Sequence, residues 1–401
     1  MTRSPTEGRG VSCLRLVIVS TLGLGLALGS SSAADRPKIP TKKQARVFES
    51  LMRESQNIGT IPSPVLLENF QQALATCKKI HYQPGEAMAL TYIGEVYQRD
   101  KRREEALKYF LQALSIWQSV RDSEGATHDA NPVTYQIGIA YRGLEAATLA
   151  GVGATYNELG QHRESLKYLE RALKMPLVNP LQEGILLRNI GLAFYGLKQY
   201  QESLKRLEQA LHVFKHYQAS LKDLEFMEIV PVGQGTGQIR GLEAQTLNEI
   251  GLVFLGLGRN RESLQRLEQS LTIAKEMRNR DLEATAICNI GLAEHGLGRH
   301  QEALKRFQEA RAIFRDIKNR AGEAAALNGI GMACNGLSRY QEALRQHQEA
   351  LAISRDIGNR AEEANALYGI GTASNGLSRY QEALKHHQEA RAIFRDLGNR
   401  A

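Results

Sequence analysis

The stretch NEIGLVFLGLGRN (248–260) returns as CNIGLAEHGLGRH (288–300), NGIGMACNGLSRY (328–340) and YGIGTASNGLSRY (368–380). Its glycines Gly251, Gly291, Gly331 and Gly371 stand forty residues apart without drift. A fixed period of this size specifies stacked supersecondary units, each burying its apolar face against its neighbours. A stack of that kind has no closed pocket but a long concave wall, so the pattern points first to a binding scaffold.

Each repeat divides into two helices. In ALNGIGMACNGLSRY, from Ala324, small or apolar residues fall at Ala324, Leu327, Ile330, Gly331 and Cys334, the three-four spacing of one helix face. The Gly336–Ser338 turn ends this first helix. The second, YQEALRQHQEALAISRDIG, is apolar at Ala343, Leu344, Ala350, Leu351 and Ile353, and Gly358-Asn359 closes it. A mid-helix glycine costs about 1 kcal/mol against alanine. Its recurrence therefore requires close approach of the paired helix.

These features resemble the tetratricopeptide repeat, whose pattern is an apolar residue, glycine, an aromatic, then alanine twice on the second helix. The slots are Ile250-Gly251-Phe254-Ser263-Ser270 and Ile290-Gly291-Ala303-Phe307-Ala310. Earlier copies read Ile93-Gly94-Tyr97-Ala106-Phe110-Ala113, Val152-Gly153-Tyr156-Ser165-Ala172 and Ile190-Gly191-Phe194-Ser203-Ala210. The resemblance implies an all-α fold, a right-handed α-solenoid of stacked antiparallel helix pairs. It covers seven repeats over 85–401, after a degenerate helical repeat over 35–84. The forty-residue form is similar to kinesin-light-chain arrays and to secreted bacterial arrays. Glu294, Cys334 and Ser374 depart from the pattern by replacing the first-helix aromatic, which predicts adjusted packing there.

Residues 1–34 stand apart. Arg3, Arg9 and Arg15 precede an apolar run, Leu16–Leu28, followed by Ser-Ser-Ser-Ala-Ala. This is the layout of a secretory signal peptide cleaved after Ala34, and the apolar run is short for a bilayer span. The expected location is secreted or periplasmic, with no stable membrane insertion after cleavage. Removing three arginines and one glutamate takes the net charge from +8 to +6. Acidic and basic residues alternate along the second helices as solvated faces, with no basic stripe interleaved with aromatics, so nucleic acid is not an expected partner.

The forty-residue register breaks twice, near 121–141 and 218–239. RGLEA recurs at Arg142 and Arg240, ninety-eight residues apart, as Gly153 and Gly251 are, which indicates a duplicated block. RGLEA reads as a helix start, and what precedes it reads as loop or a short hairpin, either a tolerated surface insertion or a binding element. The last two repeats agree at thirty of forty positions. The sequence then reaches Asn399-Arg400-Ala401, where another first helix is due, so the last repeat reads as uncapped. That leaves end-to-end self-association open as a second kind of partnership.

No HExxH, GxSxG or GxxxxGKS motif occurs, and catalysis, cofactor and metal are not expected. Cys288 and Cys334 lie on adjacent first helices, which leaves a bridge open, and His386-His387 is expected to be exposed. The resemblance implies a concave wall lined by first-helix residues around the packing glycine. The candidate peptide-binding residues there are Asn189, Asn248, Leu252, Asn289, Leu292, Asn328, Asn365 and Tyr368. Asparagine amides both donate and accept, so a row of them suits an extended peptide backbone. The same residues also serve as neutral surface. Three functions stay open: a peptide- or protein-binding scaffold outside the cytoplasm, the recognition half of a longer hydrolase or signalling protein, and an envelope spacer.

Overall fold

A computed structural model describes residues 41–55, 61–124, 132–177, 179–226 and 236–398. The signal-peptide reading falls outside these residues. All regular structure among them is helical. The chain divides into two bodies, 1–239 and 240–401.

The first body contains α1 (Lys42–Ser55), α2 (Ser63–Lys79), α3 (Gln83–Arg99), α4 (Arg103–Glu124), α5 (Pro132–Glu158), α6 (His162–Leu173), α7 (Pro180–Gly196) and α8 (Tyr200–Phe226). The next helix, α9 (Thr236–Gly256), enters the second body near its start. There follow α10 (Asn260–Glu276), α11 (Arg280–Gly296), α12 (His300–Asp316), α13 (Arg320–Gly336), α14 (Tyr340–Asp356), α15 (Arg360–Gly376) and α16 (Tyr380–Asp396). Within each body successive helices pack as antiparallel pairs, and first helices also touch the first helices of neighbouring repeats. The result is the stacked all-α arrangement of an α-solenoid.

The turns explain the sharp helix ends. Short three-residue connections reverse the chain through one left-handed residue. This is glycine at Gly258, Gly298 and Gly358, but Ser338, Ser378 and Lys318 adopt φ near 60° in the equivalent places. Asn279, Asn319 and Asn359 then cap the following first helices by accepting from the backbone N–H three residues on. In the same first turns Arg280, Arg320 and Arg360 pair with the mostly buried Glu283, Glu323 and Glu363 at 2.8, 2.7 and 2.6 Å.

The insertions differ from the expected loops. Helices α4 and α8 run to 22 and 27 residues, against 17 for regular second helices. Helix α5 starts at Pro132 and α9 at Thr236, both well before RGLEA. Proline suits a first helical position, where its missing N–H has no partner to lose. Ala140, Tyr141 and Leu144 are buried, as is Ile239, so the added turns have apolar faces to bury. The rest of the insertions, 125–131 and 227–235, lies outside the described residues.

Close helix packing is set by rings over glycines. A Cβ at Gly291 would sit 2.9 Å from the Phe307 ring, and one at Gly329, on the next first helix, 2.3 Å from it. Phe110 lies in the same way between Gly94 and Gly151, and His347 between Gly331 and Gly369. Where this slot holds Leu169, Leu207 or Leu267, the glycine of its own repeat remains (Gly153, Gly191, Gly251). Within one body, the position on the following first helix is then Asn189 after Leu169 and Asn289 after Leu267. A smaller occupant frees room for a side chain. Serine replaces alanine at Ser165, Ser203 and Ser263 because each hydroxyl donates to the carbonyl of the packing glycine at 2.7–2.8 Å.

Gly329→Ala should therefore destabilise by about 1–3 kcal/mol through overpacking, against the gain of about 1 kcal/mol expected for glycine to alanine in an unconstrained helix. Adding Phe307→Leu should return part of the loss. Urea denaturation of the two variants checks both signs.

Candidate functional site

The packing glycine fixes what its neighbours on each first helix present. Residues one position after it, Leu252, Leu292, Met332 and Thr372, form a row in the second body and are half-buried. Four positions after it stand Leu255, His295, Asn335 and Asn375, half-buried except for the exposed Asn375. Leu255 and Leu292 pack in part against the core and keep the rest of their surface.

The asparagines behave differently from a row of free amides. Asn248 and Asn328 are only 7% and 6% exposed, so they do not point clear of the packed interior. Asn289 Nδ2 donates to Asn248 Oδ1 at 2.9 Å, joining neighbouring first helices. Asn328 Nδ2 donates to Glu362 Oε2 at 2.9 Å, and its Oδ1 lies 3.2 Å from His347 Nδ1. Asn365 is exposed and donates to Glu362 Oε1 at 3.4 Å. Tyr368, 58% exposed, tilts against His387 with ring centroids 5.1 Å apart. Asn189 belongs to the first body, where its backbone carbonyl accepts from Asn157 Nδ2 at 2.9 Å. Thus Leu252, Asn289, Leu292, Asn365 and Tyr368 keep some or most of their surface, while Asn248 and Asn328 are spent on packing. For Asn328 the physical reason is the ring slot beside it. A polar ring at His347 draws in the amides of Asn328 and Asn335, the latter at 3.5 Å from Nε2.

His347 itself was not legible as a functional-looking residue. It is 1% exposed, whereas the short sequence around it reads as a solvated helix. Its forty-residue alignment with Phe307 and Leu267 carries the signal of burial. Its descendant in the next repeat, His387, and its neighbour His386 are half-buried instead of exposed. Burial holds His347 down to a pKa of about 4, from an ordinary 6.5. A second imidazole pair, His295 and His300, shares one hydrogen bond between Nδ1 atoms 3.1 Å apart. Burial, and then the His300 charge, lower His295.

The substituted aromatic slots are filled in three ways. Cys334 and Ser374 are fully buried. Glu294 is nearly so, with Arg306 Nε 3.7 Å from its carboxylate, and burial raises its pKa. The three cysteines of the described residues, Cys77, Cys288 and Cys334, are unpaired and buried, so no bridge joins Cys288 to Cys334. Burial pushes the first two thiols up to about 12 and the third to about 11. Thiols held this far from ionisation are packing residues. Among the described residues no helix is long and apolar enough to cross a membrane.

The sequence pattern of the tetratricopeptide repeat matches residues 66–122, 144–216, 242–316 and 322–396, and the chain belongs to that family. Comparison with curated proteins gives no match. Among solved structures, the chain is similar to the apo form of the quorum sensor NprR from B. thuringiensis. That match has 14% identity, covers 87% of each chain and has a TM-score of 0.58. It is also similar to apo RapI, at 15% identity over 78% of this chain and 99% of the other, TM-score 0.55. A Rap protein complexed with Competence and Sporulation Factor matches at 14% identity over 89% and 100%, TM-score 0.53. At these identities the likeness is one of fold.

The His347 environment has a consequence for stability. The folded state holds this imidazole neutral, so the unfolded chain binds its proton first. The contribution is complete above about 6.5 and is lost as pH falls toward about 4. The loss amounts to about 3 kcal/mol when complete. His347→Phe, which restores the Phe307 arrangement, should remove this dependence. The check is the difference in urea midpoint between parent and variant across that pH range, which should shift in favour of the variant on acidification.

Proposed function

We propose that the protein is a binding scaffold that takes an extended peptide, or an extended segment of a partner protein, across the first helices of its second body. One observation carries this reading: the partly exposed row Leu252, Leu292, Met332 and Thr372, repeated at one register on four successive first helices. A strand-like segment alternates its side chains, so it suits a row of shallow apolar contacts flanked by polar groups. Asn289, Asn365 and Asn375 retain surface beside that row, and their amides serve main-chain hydrogen bonding. The likeness to a quorum sensor and to a Rap protein solved with Competence and Sporulation Factor supports the same reading. We place this activity outside the cytoplasm, on the strength of the arginine-flanked apolar run ahead of Ala34.

Leu292→Glu combined with Met332→Glu should weaken peptides selected from a displayed library by about tenfold or more, the equivalent of about 1.4 kcal/mol. The row is half-exposed, so circular dichroism and the urea midpoint should hold near the parent values. Unchanged affinity would move the site off this wall. Export has its own check: N-terminal sequencing of protein recovered outside the cytoplasm should begin at Asp35.

A further inference from the structure

A glutamate stands eight residues before the packing glycine in each of the seven repeats. In five of them, at Glu145, Glu243, Glu283, Glu323 and Glu363, it is at most 9% exposed. Arginine holds all five. Arg240, Arg280 and Arg320, three residues earlier on the same helix, pair with Glu243, Glu283 and Glu323. Glu363 takes Arg360 from its own helix and Arg355 from the helix before, at 2.6 and 3.0 Å. Glu145 takes Arg121 and Arg171 from the helices on either side, both at 2.8 Å. Of the other two, Glu86 is half-buried and Glu183 is exposed.

Glu183 has none of these arginines. Three residues before it stands Pro180, and eight before it stands Met175, where Arg355 serves Glu363. Twenty-six after it stands Gln209, where Arg171 serves Glu145. Glu183 has no ion-pair partner among the described residues. The helix before it is also cut short. Helix α6 ends at Leu173 after 12 residues, where a regular second helix has 17. Pro176 enforces this, because it cannot donate to the helix ladder and disfavours a helical residue ahead of it. The absent last turns leave an open cavity of about 1000 Å³ against α7 and α8. Leu173, Met175, Leu177 and Leu187 line it, together with Glu183 and Gln209. Lys205, Arg206 and Glu208 share the lining from α8, and Arg206 Nη1 is directed to Gln209 Oε1 at 3.4 Å. The carboxylate that elsewhere meets an arginine thus faces an apolar groove here.

We propose that this groove of the first body receives a segment of a partner protein that presents an arginine beside apolar side chains. Its guanidinium takes the Glu183 carboxylate as arginines of this chain take the five buried glutamates. A guanidinium fork matches a carboxylate in two parallel hydrogen bonds, and its stem lies well along apolar surface such as that of Met175 and Leu187. An exposed ion pair contributes little by itself. The apolar lining supplies the burial that makes this one selective.

The test uses the full chain and a fluorescent peptide of residues 350–361, read by anisotropy. This peptide carries the two arginines that hold Glu363, with Leu351 and Ile353 beside them. The expected result is saturable binding that weakens at least about fivefold when both peptide arginines become glutamine. Glu183→Gln in the chain should weaken the parent peptide by as much. Because Glu183 is exposed, helicity and the urea midpoint should hold. Met175→Arg, which sets an arginine where Arg355 stands relative to Glu363, should fill the groove from within and weaken the peptide likewise. Leu292→Glu with Met332→Glu should leave this binding unchanged, which separates the groove from the wall of the second body. The proposal is overturned if the peptide does not bind saturably, or binds the parent and the Glu183→Gln chain alike. It is also overturned if the chain alone dimerises with concentration and Glu183→Gln abolishes this, which would give the groove to a second copy.

Discussion

The packing of this protein depends on a side chain clamped between two first helices, its own repeat's and the next one's. Where that side chain is a ring, both helices must be glycine at the contact. Each glycine costs about 1 kcal/mol of helix propensity. Burying a phenylalanine side chain returns about 1.5–3 kcal/mol, and close backbone approach adds dispersion along the whole contact. The arrangement is thus near balance locally and gains from repetition, because each stacked repeat supplies the second wall for the one before it.

That constraint decides which residues are left for binding. The position two before the packing glycine looks like a lining position in a linear reading, yet it answers to the ring of the preceding repeat. It is glycine at Gly151, Gly329 and Gly369, where a ring lies beneath, and asparagine at Asn189 and Asn289, where the preceding repeat of the same body has leucine. Its asparagines are therefore permitted by packing before they are available to a ligand. The position one after the glycine keeps surface at Leu252, Leu292 and Met332, whereas the position four after it reaches the clamped ring at Asn335, 3.5 Å from His347 Nε2.

The period, the helix pairs and the turn glycines were legible, because each is a local property repeated at one spacing, whereas Asn359, read as closing a second helix, caps the next first helix. The insertions were misread as loops because glycine, proline and glutamine are local breakers, whereas Pro132 opens a helix and buried Tyr141, Leu144 and Ile239 sustain the added turns. The candidate wall was legible only in part. Asn248 and Asn328 were placed correctly along the helix, but their burial depends on Asn289, His347 and Glu362, which come from other helices. Tertiary partners of that kind leave no trace in spacing within one repeat. They appear only when repeats are aligned with one another and slots are read across the junction.

Read across junctions, the last two repeats are less alike than their thirty shared positions suggest. Ser354 and Phe394 occupy one slot, and so do Leu351 and Arg391. The first change replaces a small residue that tolerates Glu362 with a ring that, at Phe314, sits against Gly322. In α16 Tyr380 is exposed, whereas His387 and Phe394 are half-buried, Phe394 against the cluster of Ala364, Leu367, Ala390 and Ile393.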